Sequence, residues 1–266
     1  MPWSKYSITS ENIGLYEEIF ENITIIDCHA HIGVDKDGHR MTAKESIRMM
    51  DREKINKAVI FALNDPRDDR HFHVPNEEIL LASRAYPGRF IPFFRINPRS
   101  DWQAELRLRA SQGFRGIKLH PRSQNFGIVH RRTMAVYGAA EKSNLPVMLH
   151  TGFGLERIAD DILKIITAFP NLRIILGHSA FPDLGNTISK IGKSRNVLFD
   201  TSTCRIFDLF DLMKKLDFSL IAFGSDMPYY ESDVALQGVI DSAITVGLTS
   251  KQIRGILGGN AAKWFL

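Results

Sequence analysis

Ile23-Thr24-Ile25-Ile26-Asp27-Cys28-His29-Ala30-His31 begins as an apolar, β-branched run and closes on polar residues, and the recurrence of that shape along the chain decides the fold. Residues 23–27 read as a buried strand. Side chains two apart on a strand project to the same side, so His29 and His31 leave one strand end together and can both reach an ion at ~2.0–2.1 Å. Seven further runs of this kind follow, at 57–63, 90–96, 116–119, 146–149, 173–176, 197–199 and 220–223. Helical periodicity fills the intervals and predicts helices over 43–53, 76–85, 101–112, 133–143, 155–169, 184–192 and 207–216, with a last one over 232–246.

Strands alternating with helices imply parallel pairing through right-handed crossovers, and eight such units close a barrel. The expected fold is therefore α/β, a (β/α)8 TIM barrel forming a single domain over residues 1–266. A short N-terminal helical extension at 11–21 precedes the first strand and is expected to cap the bottom of the barrel. An open doubly wound sheet is the alternative, disfavoured because no Gly-x-Gly-x-x-Gly follows the first strand. The longest loop, 64–75, lies after the second strand on the expected active face.

Hydrophobic residues make up 44% of the 266 and charged residues 24%, which leaves no compositional case for disorder. The N-terminus lacks an apolar stretch of signal-peptide type, and no apolar run approaches the ~18 residues of a membrane span. A cytoplasmic protein with no membrane association is the reading. The two cysteines, Cys28 and Cys204, are too few for a disulfide scaffold. Cys28 adjoins His29 but is expected to point to the opposite face of the strand.

The net charge of +4 is unevenly spread: from Arg84 to Arg132 eleven Lys or Arg face two acids, Asp101 and Glu105. Arg107 and Arg109 fall in a helical pattern and read as a solvated face. Arg95, Arg99 and Arg122 follow strand runs and can meet an anionic substrate. No aromatic-interleaved basic stripe argues for nucleic acid. A small, anionic molecule is the expected partner, and a homo-oligomer is compatible with the sequence.

Barrel enzymes place their chemistry at the carboxyl ends of the strands. Five of the nine histidines sit there: His29 and His31 after the first run, His120 in Gly116-Ile117-Lys118-Leu119-His120-Pro121, His150 in Leu149-His150-Thr151-Gly152, and His178 in Leu176-Gly177-His178. Asp226 follows the eighth run in Phe223-Gly224-Ser225-Asp226-Met227-Pro228. A lone histidine after a strand is usually a satisfied polar residue, but in a closed barrel these termini converge on one mouth, and the clustering points to a metal site. A second His-x-His, His71-Phe72-His73, lacks a preceding apolar run and lies in a charged loop, so it reads as solvated, with substrate contact the alternative.

These ordered motifs resemble the amidohydrolase superfamily, within it the amidohydrolase 2 branch that includes aminocarboxymuconate-semialdehyde decarboxylase and related hydrolases, hydratases and lactonases. The ending Ile256-Leu257-Gly258-Gly259-Asn260-Ala261-Ala262-Lys263-Trp264-Phe265 looks like the family's closing helix. The resemblance implies that His29, His31, His150 and Asp226 bind one divalent metal, zinc by preference, with His178 beside it. Asp226 and His178 would be catalytic, Asp226 taking the proton of a metal-activated water and His178 polarising the carbonyl or orienting the nucleophile. Arg95, Lys118, His120 and Arg122 would contact substrate. Some superfamily members carry a carboxylated lysine that bridges two metals, so a binuclear centre at Lys118 is the alternative.

The expected function is a metal-dependent hydrolase acting on a C–O or C–N bond of a small anionic substrate. A nonoxidative decarboxylase of an unsaturated or aromatic acid would use the same metal site, and a noncatalytic binding barrel is the alternative from another class. Fold and metal site are common to the first two, and the discriminating contacts lie in loops.

Overall fold

The computed structural model describes residues 13–68 and 70–266. Its strands are β1 (Ile26–Val34), β2 (Arg40–Met41), β3 (Lys57–Ala62), β4 (Phe90–Arg95), β5 (Gly116–Leu119), β6 (Val147–His150), β7 (Ile174–Gly177), β8 (Val197–Asp200) and β9 (Ile221–Ala222). They form one sheet in the order β2-β1-β3-β4-β5-β6-β7-β8-β9. β2 folds back antiparallel onto the end of β1, and every other neighbouring pair is parallel.

The chain after β9 returns to β1. Cys28 N–H donates to the Phe223 carbonyl, Asp226 N–H to that of His29, and His31 N–H to that of Met227, each at 2.8 Å. These bonds close the eight parallel strands into a (β/α)8 barrel.

The strands read as unbroken apolar runs because both of their faces are covered. Met148, Ile175 and Leu198 point into the barrel with Val59, Phe61 and Phe93. Their neighbours Val147, Leu149, Ile174 and Leu176 point out against the helices. Those helices include α1 (Ile13–Phe20), α2 (Ala43–Arg52), α3 (His73–Ala85), α4 (Trp102–Ser111), the single turn α5 (Pro121–Gln124), α6 (Arg131–Lys142) and α7 (Ala159–Ala168). After them come α8 (Leu184–Ile191), α9 (Ile206–Lys215), α10 (Ser232–Val246), α11 (Ser250–Arg254) and α12 (Asn260–Phe265). Among the described residues, no helix is long and apolar enough to cross a membrane.

Four expectations change. The helix expected over 11–21 is α1, with residues 11 and 12 outside the described residues, and it does not cap the barrel bottom. It lies outside, where Tyr16 donates to Asp241 at 2.6 Å and the Glu18 carbonyl accepts from Arg254. The bottom is filled instead by α12, whose Ala261 and Phe265 enter the inner cluster, with the Phe265 ring edge-on to Phe93 at 5.5 Å.

The closing segment is also not one regular helix. A π turn over Gly255–Gly259 precedes α12, and a Cβ on Gly258 would fall 1.9 Å from the Thr24 carbonyl, so only glycine lets the chain pass under β1. The helix expected over 155–169 starts at Ala159, leaving a longer loop above β6. The one expected over 76–85 starts earlier, at His73, which shortens the loop over 64–75.

Candidate metal centre

β1 delivers the pair that its sequence advertises. His29 and His31 are buried, and their Nε2 atoms converge on one oxygen, Asp226 Oδ1, at 3.2 and 3.1 Å. Ligand atoms of these three residues lie within 4.8 Å of one another. The donor set suits a divalent cation. Burial, with the Lys118 charge second, holds both imidazoles well below the usual histidine range, so each is neutral and able to offer a lone pair. Burial raises the Asp226 carboxyl, with His178 and Lys118 pulling it back.

The backbone is bent to aim these groups. Asp226 has φ 67° and His178, Ser179 and Ala180 have φ 68°, 51° and 55°, left-handed values that side chains other than glycine avoid. Strain of that kind persists where surrounding contacts enforce it, and it clusters at functional sites. Asp226 N–H is fixed by the His29 carbonyl at 2.8 Å. Behind it, Asp27 ties β1 to the β9 end by accepting from Ser225 Oγ at 2.6 Å and Ser225 N–H at 2.9 Å.

Asp200 is the residue the sequence reading passed over. It ends β8, is fully buried, and its carboxylate lies in hydrogen-bond contact with His29 Nδ1. A carboxylate on the far nitrogen of an imidazole fixes ring orientation and raises the basicity of the near one. Ser202 Oγ joins this group, 2.8 Å from Asp200 Oδ2 and 2.9 Å from His178 Nδ1. Gly224 makes room for it, because a Cβ there would fall 2.1 Å from Asp200 Oδ1 and 2.9 Å from His29 Cβ. The strand runs one residue past the apolar stretch 197–199, and a polar residue directly after an apolar run, the signal present at the other strand ends, is what marks Asp200.

His150 stands apart from the three converging residues. Its ring stacks on His120 with centroids 3.9 Å apart, and its Nδ1 lies 3.1 Å from His178 Nε2. Burial keeps His150 and His178 neutral, each with its pKa lowered to about 3. Lys118 is also buried, with Nζ 3.0 Å from His29 Nε2 and 4.4 Å above the Phe61 ring. Burial lowers its pKa to about 7, with the Asp226 and Asp200 charges pulling it back up.

A cavity of about 430 Å3 opens above this floor. His29, His31, Lys118, His120, His150, His178 and Asp226 line its base, with Lys36, Asp37, Asn64, Arg122, Ser123 and Tyr229 higher up. Arg122 rests against Gly154, where a Cβ would fall 2.8 Å from its Cδ. Arg95 lies behind the wall rather than in it. Fully buried, it donates to the Ala62 carbonyl at 3.1 Å and to Asn64 Oδ1 at 2.8 Å, with Phe72 beneath its guanidinium.

Two local expectations differ from what is found. The register of β1 against β3 shifts between Asp27 and Ala30, and Cys28 joins the inner cluster rather than facing away from His29. Burial, then the Asp200 charge, pushes the Cys28 thiol well above its ordinary value. His71-Phe72-His73 is not wholly a solvated loop either. Phe72 is buried and His73 opens α3, its exposed ring bonded through Nδ1 to the buried Glu105 at 2.5 Å.

Similar folds occur among solved structures. A probable 2-pyrone-4,6-dicarboxylic acid hydrolase from Acinetobacter baumannii, with citric acid bound, is 16% identical, and the match covers 91% of this chain and 99% of that one at a TM-score of 0.66. The 5-carboxyvanillate decarboxylase from Sphingomonas paucimobilis is 13% identical over 92% and 99% of the two chains, with a TM-score of 0.68. A dihydroxybenzoic acid decarboxylase from a Polaromonas species, holding manganese and the inhibitor 2-nitroresorcinol, is 16% identical over 91% and 97%, with a TM-score of 0.67. None of the curated proteins matches the sequence. The amidohydrolase 2 family matches residues 26–266, nearly the whole chain and every motif of the metal centre, and the protein belongs to that family of enzymes.

Proposed function

We propose that this protein is a metal-dependent hydrolase cleaving a C–O or C–N bond of a small anionic substrate. One observation carries the reading: His29 Nε2 and His31 Nε2 converge on Asp226 Oδ1 in the floor of a cavity whose base holds Lys118 and whose wall bears Lys36 and Arg122. These three residues would hold one divalent cation, with His150 as the fourth donor, and zinc suits neutral imidazoles with a carboxylate. When bound there, the cation supplies Lewis-acid polarisation and lowers the pKa of a water.

The chain's own groups do the rest. Asp226 takes the proton of the attacking water, a role that its burial favours by raising the basicity of the carboxylate. His178 orients that water. Arg122 and Lys36 draw the anionic end of the substrate to the mouth, while Lys118 and His120 meet the end nearer the floor. Arg95 acts from behind by holding Asn64, itself a wall residue. Among the described residues, Tyr229 is the aromatic side chain in this wall apart from the imidazoles, which fits a polar substrate better than a flat aromatic acid.

The second reading, nonoxidative decarboxylation at the same site, draws support from the decarboxylases among the similar folds. Metal-loaded protein offered a panel of carboxylate-bearing lactones, esters and amides separates the two. Acid release without carbon dioxide, abolished by Asp226→Asn, is expected. Carbon dioxide release from an unsaturated acid would establish the second reading instead.

A further inference from the structure

Four groups meet the Asp200 carboxylate. Ser202 N–H donates to Oδ1 at 2.8 Å; at Oδ2 arrive the Ser202 hydroxyl at 2.8 Å, the His178 N–H at 3.4 Å and His29 Nδ1. Backbone N–H groups can only donate, so both oxygens act as acceptors, and toward the ionised carboxylate the side chains reaching them donate as well. His29 therefore carries its proton on Nδ1. A hydroxyl has a single proton, and Ser202 spends it on Asp200, so toward His178 Nδ1, 2.9 Å away, its oxygen can only accept. The Ser202 carbonyl, 3.3 Å from the same nitrogen, can only accept too, and the Thr203 hydroxyl, 2.9 Å away, can accept as well as donate. Ser202 Oγ also lies 3.1 Å from His29 Nδ1.

We propose that Asp200 is a positioning residue that sets the tautomers of two histidines at once, His29 directly and His178 through the Ser202 hydroxyl, so that both turn an unprotonated Nε2 toward the cavity. At His29 that nitrogen is the one aimed at Asp226. At His178 it accepts from His150 Nδ1 at 3.1 Å, which leaves His150 Nε2 bare in turn. The Phe153 carbonyl, 3.4 Å from His150 Nε2, is the longer contact and yields to this chain. The inference rests on the metal-dependent reading for its consequence: one carboxylate outside the cavity wall prepares the lone pairs on both sides of the site.

Asp200→Asn tests it. Ser202 N–H keeps the amide oxygen at the Oδ1 position, so the amide NH2 faces His29 Nδ1 and Ser202 Oγ. His29 must then move its proton to Nε2, and the Ser202 hydroxyl, no longer committed to a carboxylate, donates to His178 Nδ1 and drives His178 to Nε2–H. Long-range 15N–1H spectra of the full histidine-labelled chain, recorded with and without added Zn2+, read each tautomer. In the wild type, Nδ1–H is expected at both His29 and His178. Without Zn2+, Asp200→Asn is expected to swap both, with Zn2+ affinity weaker by ~10–100-fold.

Adding Ser202→Ala to Asp200→Asn returns His178 to Nδ1–H on its remaining acceptors and leaves His29 swapped. His178 unchanged in Asp200→Asn, or swapped whether or not Ser202 is present, overturns the relay. Nε2–H at either histidine in the metal-free wild type overturns the proposal without any variant. The readout needs no substrate, so it stands apart from whether hydrolysis is found.

Discussion

The chain contains two His-x-His pairs, and they end in opposite circumstances. His29 and His31 lie within a strand, both buried, with their Nε2 atoms meeting at Asp226. His71 and His73 straddle a buried, left-handed Phe72 at the start of a helix, and their rings stack parallel, 5.7 Å apart and 5° from coplanar. The same spacing thus produces a convergent donor set in one place and a surface stack in the other. Spacing sets the two rings side by side in both places, and they become convergent donors only where the buried Asp226 meets them.

The contrast is sharpest in metal retention. His29→Ala, His31→Ala and Asp226→Asn are each expected to take bound metal from about one equivalent to none, a single ion being what such a donor set holds. A double His71→Ala/His73→Ala variant keeps the wild-type content, and elemental analysis of the purified proteins compares them directly. Next in size is Gly224→Ala. Its Cβ would collide with Asp200 and His29, and overpacking of that kind costs ~1–3 kcal/mol, read from urea midpoints.

Smaller effects belong to the second pair. His73→Ala removes a partner of the buried Glu105, but Arg109 Nε at 2.6 Å and Asn76 Nδ2 at 2.8 Å still hold that carboxylate. The exposed ring contributes little, and a loss below about 1 kcal/mol is expected in the same unfolding assay. Among the described residues the His71 ring meets the stack alone, and His71→Ala should stay within about 0.5 kcal/mol of wild type.

Much of this was legible because a barrel repeats one local pattern. Eight apolar runs marked the strands, and polar residues after them marked the mouth. What escaped was whatever depends on a contact distant in sequence. Helix-forming pattern placed α1 and α12 but could not say which of them fills the barrel bottom, since that is decided by Phe265 meeting Phe93. Arg95 follows a strand run as Arg122 does, yet Arg95 turns back under the wall and Arg122 faces the cavity. Strict alternation placed Cys28 opposite His29, and the register shift in β1 removed that alternation where it mattered. His73 as a helix start was hidden by Pro75, which is tolerated in a first turn although it reads as a breaker.

The central claim is that His29, His31 and Asp226 hold the metal on which activity depends. Anomalous diffraction from crystals grown with Zn2+ tests it most directly. One peak is expected within ~2.0–2.2 Å of His29 Nε2, His31 Nε2 and an Asp226 oxygen, with none at His71 or His73. A crystal with no peak between those three residues, or with two peaks bridged by a carboxylated Lys118, would contradict it.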